Sequence, residues 1–156
     1  MNAAPRIALA LLCLSTGAAA AATRVACPYA PSELAASFSA AFRAGVGKQS
    51  AVPGGTQYSC SYRQDRGNLT LTVTQTVLPA AEHKRLRPEF EKGLVGKLTP
   101  MGGDPDGAKW QMDPYAPNFI ALHYLHGSNR VELKLTGGYL RTEVMQPKLL
   151  RLRRLR

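Results

Sequence analysis

Two cysteines, Cys27 and Cys60, have the clearest chemical possibilities in this chain. A thiol can act as a nucleophile, bind a metal or form half of a disulfide, and Cys60 lies in the alternating stretch YSCSY. A nucleophilic cysteine would need a histidine beside it, and the sequence does not place one. In an exported chain a pair of cysteines most often forms a disulfide, because the compartment is oxidising. We therefore predict a Cys27–Cys60 disulfide.

The first residues indicate that the chain is exported. Arg6 is followed by a short apolar stretch and then by a run of small residues that ends at Ala22. This order is typical of a secretory signal peptide. A retained membrane anchor is the weaker alternative, because a spanning helix needs about 20 strongly apolar residues. We predict that residues 1–22 are removed, together with Cys13, and that the protein is periplasmic or secreted in a bacterium.

Cys27 has a second candidate role, as the lipid-carrying cysteine of a bacterial lipoprotein. Ala26 before it suits such a site, but Arg24 stands where these signals usually have leucine or a similar residue. Thr23 and Arg24 also separate Cys27 from the apolar stretch. A lipoprotein anchored at Cys27 is therefore the minor alternative to the disulfide.

The histidines and carboxylates give no catalytic or metal-binding motif. His123 and His126 are three residues apart on a predicted strand, so their side chains point to opposite faces and do not form a local metal pair. The loop 103–107 has two aspartates but lacks the later ligand positions of a calcium loop, which favours a plain turn. We assign no catalytic residue, no metal site and no cofactor.

Positive charge is concentrated at the end of the sequence. The chain has 20 Lys and Arg against 10 Asp and Glu, a formal net charge of +10. Concentrated cations attract anionic polymers or membrane surfaces. The alternative is a terminal helix that packs its leucines on a sheet and leaves its arginines in water. The candidate anion-binding residues in the stretch KLLRLRRLR are Lys148, Arg151, Arg153, Arg154 and Arg156.

Apolar residues at helical spacing predict three helices. The first is predicted to begin at Pro31 and to end in the glycine-containing segment 45–47. The second follows Pro79 and is kinked by Pro88, because proline removes a helix hydrogen bond. The third is predicted from Pro147 to the end, since proline suits the first turn of a helix.

Alternation with a period of two predicts two β-hairpins. In the first, Leu71 and Val73 face the core while Thr72 and Thr74 face solvent. Turn-forming residues separate the two strands of each hairpin. The predicted strands are residues 58–62, 69–77, 118–126 and 130–136, with a short strand around Trp110 and Met112.

These elements predict a single α+β domain over residues 23–156. The expected order is α-β-β-α-β-β-β-α, with an antiparallel sheet of about five strands and helices mainly on one face. Residues 148–156 are expected to form a basic Leu/Arg terminal helix or tail. In this arrangement Cys27 leads into the first helix and Cys60 faces the core, so their disulfide would join helix to sheet.

For function, the sequence predicts a class only. We expect a non-enzymatic binding or accessory protein of the bacterial cell envelope, whose partner is an envelope protein or an anionic surface. Its working surfaces would be the Thr/Tyr face of the first hairpin and the basic tail. One alternative binds anionic lipid or polymer through the tail, and no specific nucleic-acid motif is present. The other alternative is a small secreted hydrolase whose site forms only on folding, from His123 with Asp104, Asp113 or Glu132.

Overall fold

The computed structural model describes residues 23–82, 84, 97–112 and 118–156, which build one sheet with helices packed against it. The strands are β1 (Thr23–Val25), β2 (Val46–Val52), β3 (Gly55–Arg63), β4 (Thr70–Val77), β5 (Lys97–Pro100), β6 (Lys109–Met112), β7 (Phe119–His126) and β8 (Asn129–Thr136). The helices are α1 (Pro31–Phe38) and α2 (Thr142–Leu150), and residues 80–82 and 84 are also helical. The predicted signal peptide, the kink at Pro88 and the candidate residue Asp113 lie outside the described residues.

The sheet has the strand order β1-β2-β3-β4-β8-β7-β6-β5, and all neighbouring strands are antiparallel. Two meanders, β2-β3-β4 and β6-β7-β8, therefore meet at the β4–β8 pair. The register of that pair places Leu71 opposite Leu135 and Val73 opposite Leu133. The centre of the sheet is thus held by strands that are far apart in the sequence.

The α+β class and the antiparallel sheet are confirmed, but the predicted number and order of the elements are wrong. The sheet has eight strands rather than about five. The order is β-α-β-β-β-α-β-β-β-β-α when the helical residues 80–82 are included. The two predicted hairpins are present as β3–β4 and β7–β8.

The strands that the sequence did not predict lack a regular apolar alternation. On β2 the core-facing position next to the disulfide is Gly47, so the strand shows no apolar period. β2 turns into β3 around Gly54, which has a φ of 77°. β1 has three residues and β5 has four, ending at Pro100, which is too short for a pattern to show.

Both described helices differ from their predicted bounds. α1 ends at Phe38 because Ser39 takes a left-handed conformation with a φ of 54°. Phe42, predicted to continue that helix, is still buried, and it forms a β-bridge with Gln64. α2 contains Pro147 in its interior rather than at its start, and the chain after it is not helical.

The main core lies between one face of the sheet and a layer formed by α1, α2 and the residues after α2. We call that face of the sheet the core face. α2 contacts both α1 and β7. Full burial of a leucine or phenylalanine stabilises a fold by about 1.5–3 kcal/mol, so this layer dominates the stability of the domain. Its largest fully buried side chains include Leu34, Phe38, Tyr62, Leu71, Ile120, Leu122, Tyr124, Leu133, Leu135 and Leu149.

Among the residues that the structure describes, no helix has the length and apolar character needed to cross a membrane.

Substitution of Val73 tests the register of β4. Val73 is 2% exposed and faces Leu133, so Val73→Asp would bury an unpaired carboxylate. We expect it to lower the free energy of unfolding by more than about 3 kcal/mol in urea titrations followed by circular dichroism.

Thr72→Asp is the matched control for Val73→Asp. Thr72 points to the opposite face, between Ser61 and Lys134, where a new carboxylate stays hydrated and has a cation as neighbour. We expect a change of less than about 1 kcal/mol. Equal losses in the two variants would show that this strand is not buried on one side only.

Candidate functional site

Cys27 and Cys60 lie at disulfide distance, as the sequence predicts. Their Cα atoms are 5.6 Å apart, and the bond joins the segment before α1 to the core-facing side of β3. Gly47 on β2 makes room for it. A Cβ atom at Gly47 would lie 3.0 Å from both sulfur atoms and 2.3 Å from the carbonyl oxygen of Val25. A side chain at this position is therefore excluded first by the backbone of β1, and the two sulfur atoms narrow the space further.

Three buried tyrosines connect this region to the C-terminal tail, residues 148–156. The backbone N–H of Tyr29 donates to the hydroxyl of Tyr62 at 2.9 Å, and the hydroxyl of Tyr29 donates to the carbonyl of Arg153 at 3.0 Å. The hydroxyl of Tyr124 accepts from the N–H of Leu155 at 2.9 Å. Burial raises the pKa of all three tyrosines, so their hydroxyls stay neutral.

The leucines of the tail complete the core. Leu149, Leu152 and Leu155 are 0%, 4% and 3% exposed. Residues beyond Leu150 follow the core face without helical structure. The tail is therefore part of the packed domain through three of its four leucines, whereas Leu150 is exposed.

Three of the five candidate anion-binding residues hold the tail in place. Lys148 donates to the carbonyl of Phe38 at 2.8 Å. Arg153 pairs with Glu33, with Nε and Oε1 3.3 Å apart, donates to the carbonyl of Pro28, and has its guanidinium 5.3 Å from the ring centre of Tyr29.

Arg154 pairs with Asp104 and lies 4.4 Å from the ring centre of Tyr124. Arg151, Arg153 and Arg156 are exposed, whereas Lys148 and Arg154 are half-buried. Contacts within the domain therefore involve three of the five cations, and the anion-binding role of the set stays a prediction.

The predicted hydrolase grouping is only partly brought together. His123 Nδ1 lies 4.0 Å from Glu132 Oε2, and its Nε2 is 2.8 Å from Gln111 Oε1. Asp104 is bound to Arg154 instead. Burial, with smaller contributions from Arg130 and Lys134, lowers the pKa of His123 to about 4, so this imidazole is neutral near pH 7.

A histidine–aspartate pair that the sequence did not predict lies at the end of β7. His126 Nδ1 is 2.9 Å from Asp106 Oδ1, and the carboxylate of Asp104 accepts hydrogen bonds from the N–H groups of Asp106 and Ala108. The loop 103–107 is thus an ordered turn, as the sequence predicts. A carboxylate at Nδ1 can orient an imidazole for proton transfer. Within the described residues, no hydroxyl or thiol forms a hydrogen bond with His126.

The face of the sheet opposite the core, here called the outer face, carries the alternate residues of each strand. Arg24, Lys48, Ser59 and Thr74 lie side by side across β1, β2, β3 and β4. The prediction of a joint Thr/Tyr surface is wrong. Tyr58 and Tyr62 point to the core face, as Cys60 between them does, while the threonines of β4 point to the outer face.

The outer face is uneven in exposure and charge. Over β7 it is covered, since Ala121 and His123 are buried. Over β1–β4 the three charged residues are Arg24, Lys48 and Arg63; all three are exposed, and these four strands contain no aspartate or glutamate. Hydroxyl groups from serine and threonine occupy most of the positions between them.

Two clefts meet on this face at Arg43 and Arg63. The first, about 270 Å³, is lined by Arg43, Ala44, Val46, Ser61 and Arg63. The second, about 230 Å³, is lined by Arg43, Arg63, Gln64, Asp65, Gly67, Asn68, Leu69 and Thr70. We call the two together the arginine cleft. The sequence did not predict it because its residues come from three strands and two loops.

Comparison with family models, curated proteins and solved structures found no match to this chain.

Removal of the end of the tail should destabilise the domain. Deletion of residues 152–156 removes two buried leucines, the hydrogen bonds to Tyr29 and Tyr124, and the partner of Asp104. We expect a loss of at least about 3 kcal/mol, measured by urea unfolding. The control is Arg151→Ala, which changes an exposed cation and should cost less than about 0.5 kcal/mol. A truncated protein as stable as the full chain would contradict this role of the tail.

His123 should make stability depend on pH. Its pKa is about 4 when folded and 6.5 when unfolded, so the unfolded chain takes up a proton that the folded chain does not. Stability is therefore fully present above pH 6.5 and falls as the pH drops from 6.5 to 4, by up to about 3 kcal/mol. Urea titrations across this range should show a smaller slope for His123→Gln than for the unmodified protein. Identical slopes would contradict the assignment.

Proposed function

We propose that this chain is an exported, non-enzymatic binding or accessory protein of the bacterial cell envelope. The observation that carries the proposal is the contrast between the two faces of the sheet. α1, α2 and the tail cover most of the core face, apart from a cleft of about 290 Å³ beside Tyr58, Cys60 and Val73. The Cys27–Cys60 bond joins the segment before α1 to this face. The outer face over β1–β4 presents exposed cations and hydroxyls. A rigid scaffold with one open polar face is suited to binding a partner, because few of its side chains and backbone segments need to become ordered on binding.

Two features support export. The residues before Thr23 have the order of a signal peptide, and the cysteines beyond them are positioned to pair. Disulfides persist in the periplasm and outside the cell, whereas cytoplasmic thiols are kept reduced. Closure of this loop would stabilise the domain by roughly 3–4 kcal/mol in the chain-entropy picture. Lipid at Cys27 would prevent the bond, so the disulfide and the lipoprotein alternative exclude each other.

A small secreted hydrolase is the second candidate, and the His126–Asp106 pair is the observation that favours it. The side chain of His126 is 38% exposed, whereas His123, which the sequence favoured, is 1% exposed. A panel of ester and phosphate-ester substrates tests this alternative. Turnover that is lost in His126→Gln would replace the binding proposal with a catalytic one.

The experiment for the main proposal is expression of the full chain in a Gram-negative host. We expect the protein in the periplasmic fraction, beginning at Thr23, with no thiol alkylated before reduction and two alkylated after it. In the control variant Cys60→Ser, Cys27 loses its partner, and its thiol should react without reduction. Retention in the cytoplasm, two free thiols in the exported protein, or a lipid mass on Cys27 would each contradict the proposal.

A further inference from the structure

The arginine cleft combines exposed cations with hydrogen-bonding groups. The side chain of Arg43 is 67% exposed and its Nε lies 3.2 Å from Asp65 Oδ1. Arg63 is exposed on the other side of the cleft, and Arg66 is exposed in the following turn. One carboxylate among three arginines leaves a net positive site. The side chains of Ser61, Gln64, Asn68 and Thr70 supply hydroxyl and amide groups around it.

The positive charge extends from the cleft along the outer face. Lys48 is paired with Ser59 in the β2–β3 register, and Arg24 is paired with Lys48 in the β1–β2 register. Arg63 is four residues along β3 from Ser59, which corresponds to about 13 Å at the rise of a β-strand. A single small anion does not reach both positions, whereas a polymer with repeated anionic groups does.

We propose that the arginine cleft and the adjoining outer face of β1–β3 bind an acidic polysaccharide, a chain of sugars that carry carboxylates. This inference rests on the proposed binding function and names its ligand class. The carboxylates pair with Arg43, Arg63 and Lys48, as charge complementarity requires. The sugar hydroxyls exchange hydrogen bonds with the serine, threonine and amide side chains between these cations.

The chemistry of the face favours a glycan over a membrane. Proteins that bind a membrane surface through an apolar face insert large side chains such as Trp, Phe or Leu. Among the described residues of this face, one large apolar side chain is exposed, that of Val46, which is 71% exposed. Apart from the half-buried Val52, the other side chains of this face on β1–β3 are hydroxyl, amide or cationic, which matches a hydrated polymer.

The same face lacks the features that recognise nucleic acid. Single strands bind on exposed aromatic rings that stack with the bases, and duplexes bind a helix or two-stranded ribbon that enters a groove. The described outer-face positions of β1–β4 hold no aromatic residue, and they lie on a broad sheet rather than on a protruding element.

Isothermal titration of the protein from the periplasmic fraction with polygalacturonate tests the inference, with uncharged dextran as the comparison. We expect binding to polygalacturonate and none to dextran. Binding should weaken at least tenfold between 0.1 M and 1 M salt, because the Debye length shrinks from about 10 Å to about 3 Å. Absence of polygalacturonate binding at low salt would overturn the inference, and it would leave the export and disulfide results unaffected.

Two double variants with the same change in net charge separate the cleft from general attraction. We expect Arg43→Ala with Arg63→Ala to weaken binding at least tenfold, with an unchanged melting temperature because both side chains are exposed. Arg151→Ala with Arg156→Ala removes two of the three exposed tail cations and should change Kd by less than twofold. Equal weakening in the two double variants would overturn the site.

Two further ligands test the choice of occupant. Vesicles containing phosphatidylglycerol and a random-sequence DNA duplex carry phosphate rather than carboxylate groups. We expect both to bind at least tenfold more weakly than polygalacturonate at 0.1 M salt. Tighter binding to either one would assign the face to a membrane or to nucleic acid and would overturn the polysaccharide.

Discussion

The hydrogen bonds of three buried tyrosine hydroxyls are the constraint on which the rest of the structure depends. A hydroxyl buried without a partner costs about 1–3 kcal/mol, so the partners of Tyr29, Tyr62 and Tyr124 must lie where these groups point. Those partners are backbone groups of the segment before α1 and of the C-terminal tail. Both segments are thereby held on the core face, and the outer face over β1–β4 is left open. The arrangement that closes the core also determines which face can meet a partner.

The sequence predicted the elements in which packing and local pattern agree. β4 and β8 alternate strictly, because one side of each faces the core, and Val73 and Leu133 meet as that pattern requires. β2 was missed because its core-facing position is a glycine that contacts the disulfide. The end of α1 was also missed. Ser39 stops the helix by adopting a left-handed conformation, which is uncommon for a residue other than glycine, asparagine or aspartate.

The candidate site likewise contains features that the sequence predicted and features that it did not. The disulfide could be predicted, because only two cysteines remain beyond the apparent signal peptide. The tail cations stood out because they are adjacent in sequence, yet Arg153 and Arg154 form ion pairs with Glu33 and Asp104 of the same domain. The cations that remain on one open surface, such as Lys48 and Arg63, lie on neighbouring strands. The order of residues in the sequence does not reveal that these cations are close together, because their proximity depends on how the strands pair. The His126–Asp106 pair escaped prediction for the same reason.

The pairing of β4 with β8 has a consequence for how quickly the fold is reached. The segment between Leu71 and Leu135 must close as a loop before the centre of the sheet exists, and such non-local contacts slow folding because the entropy of closure precedes any gain from packing. Slow folding prolongs the time during which strand edges are unpaired and prone to aggregate. For a chain that leaves the cytoplasm as we propose, the same delay is useful, since a polypeptide that has not yet closed its sheet remains threadable through a translocation channel.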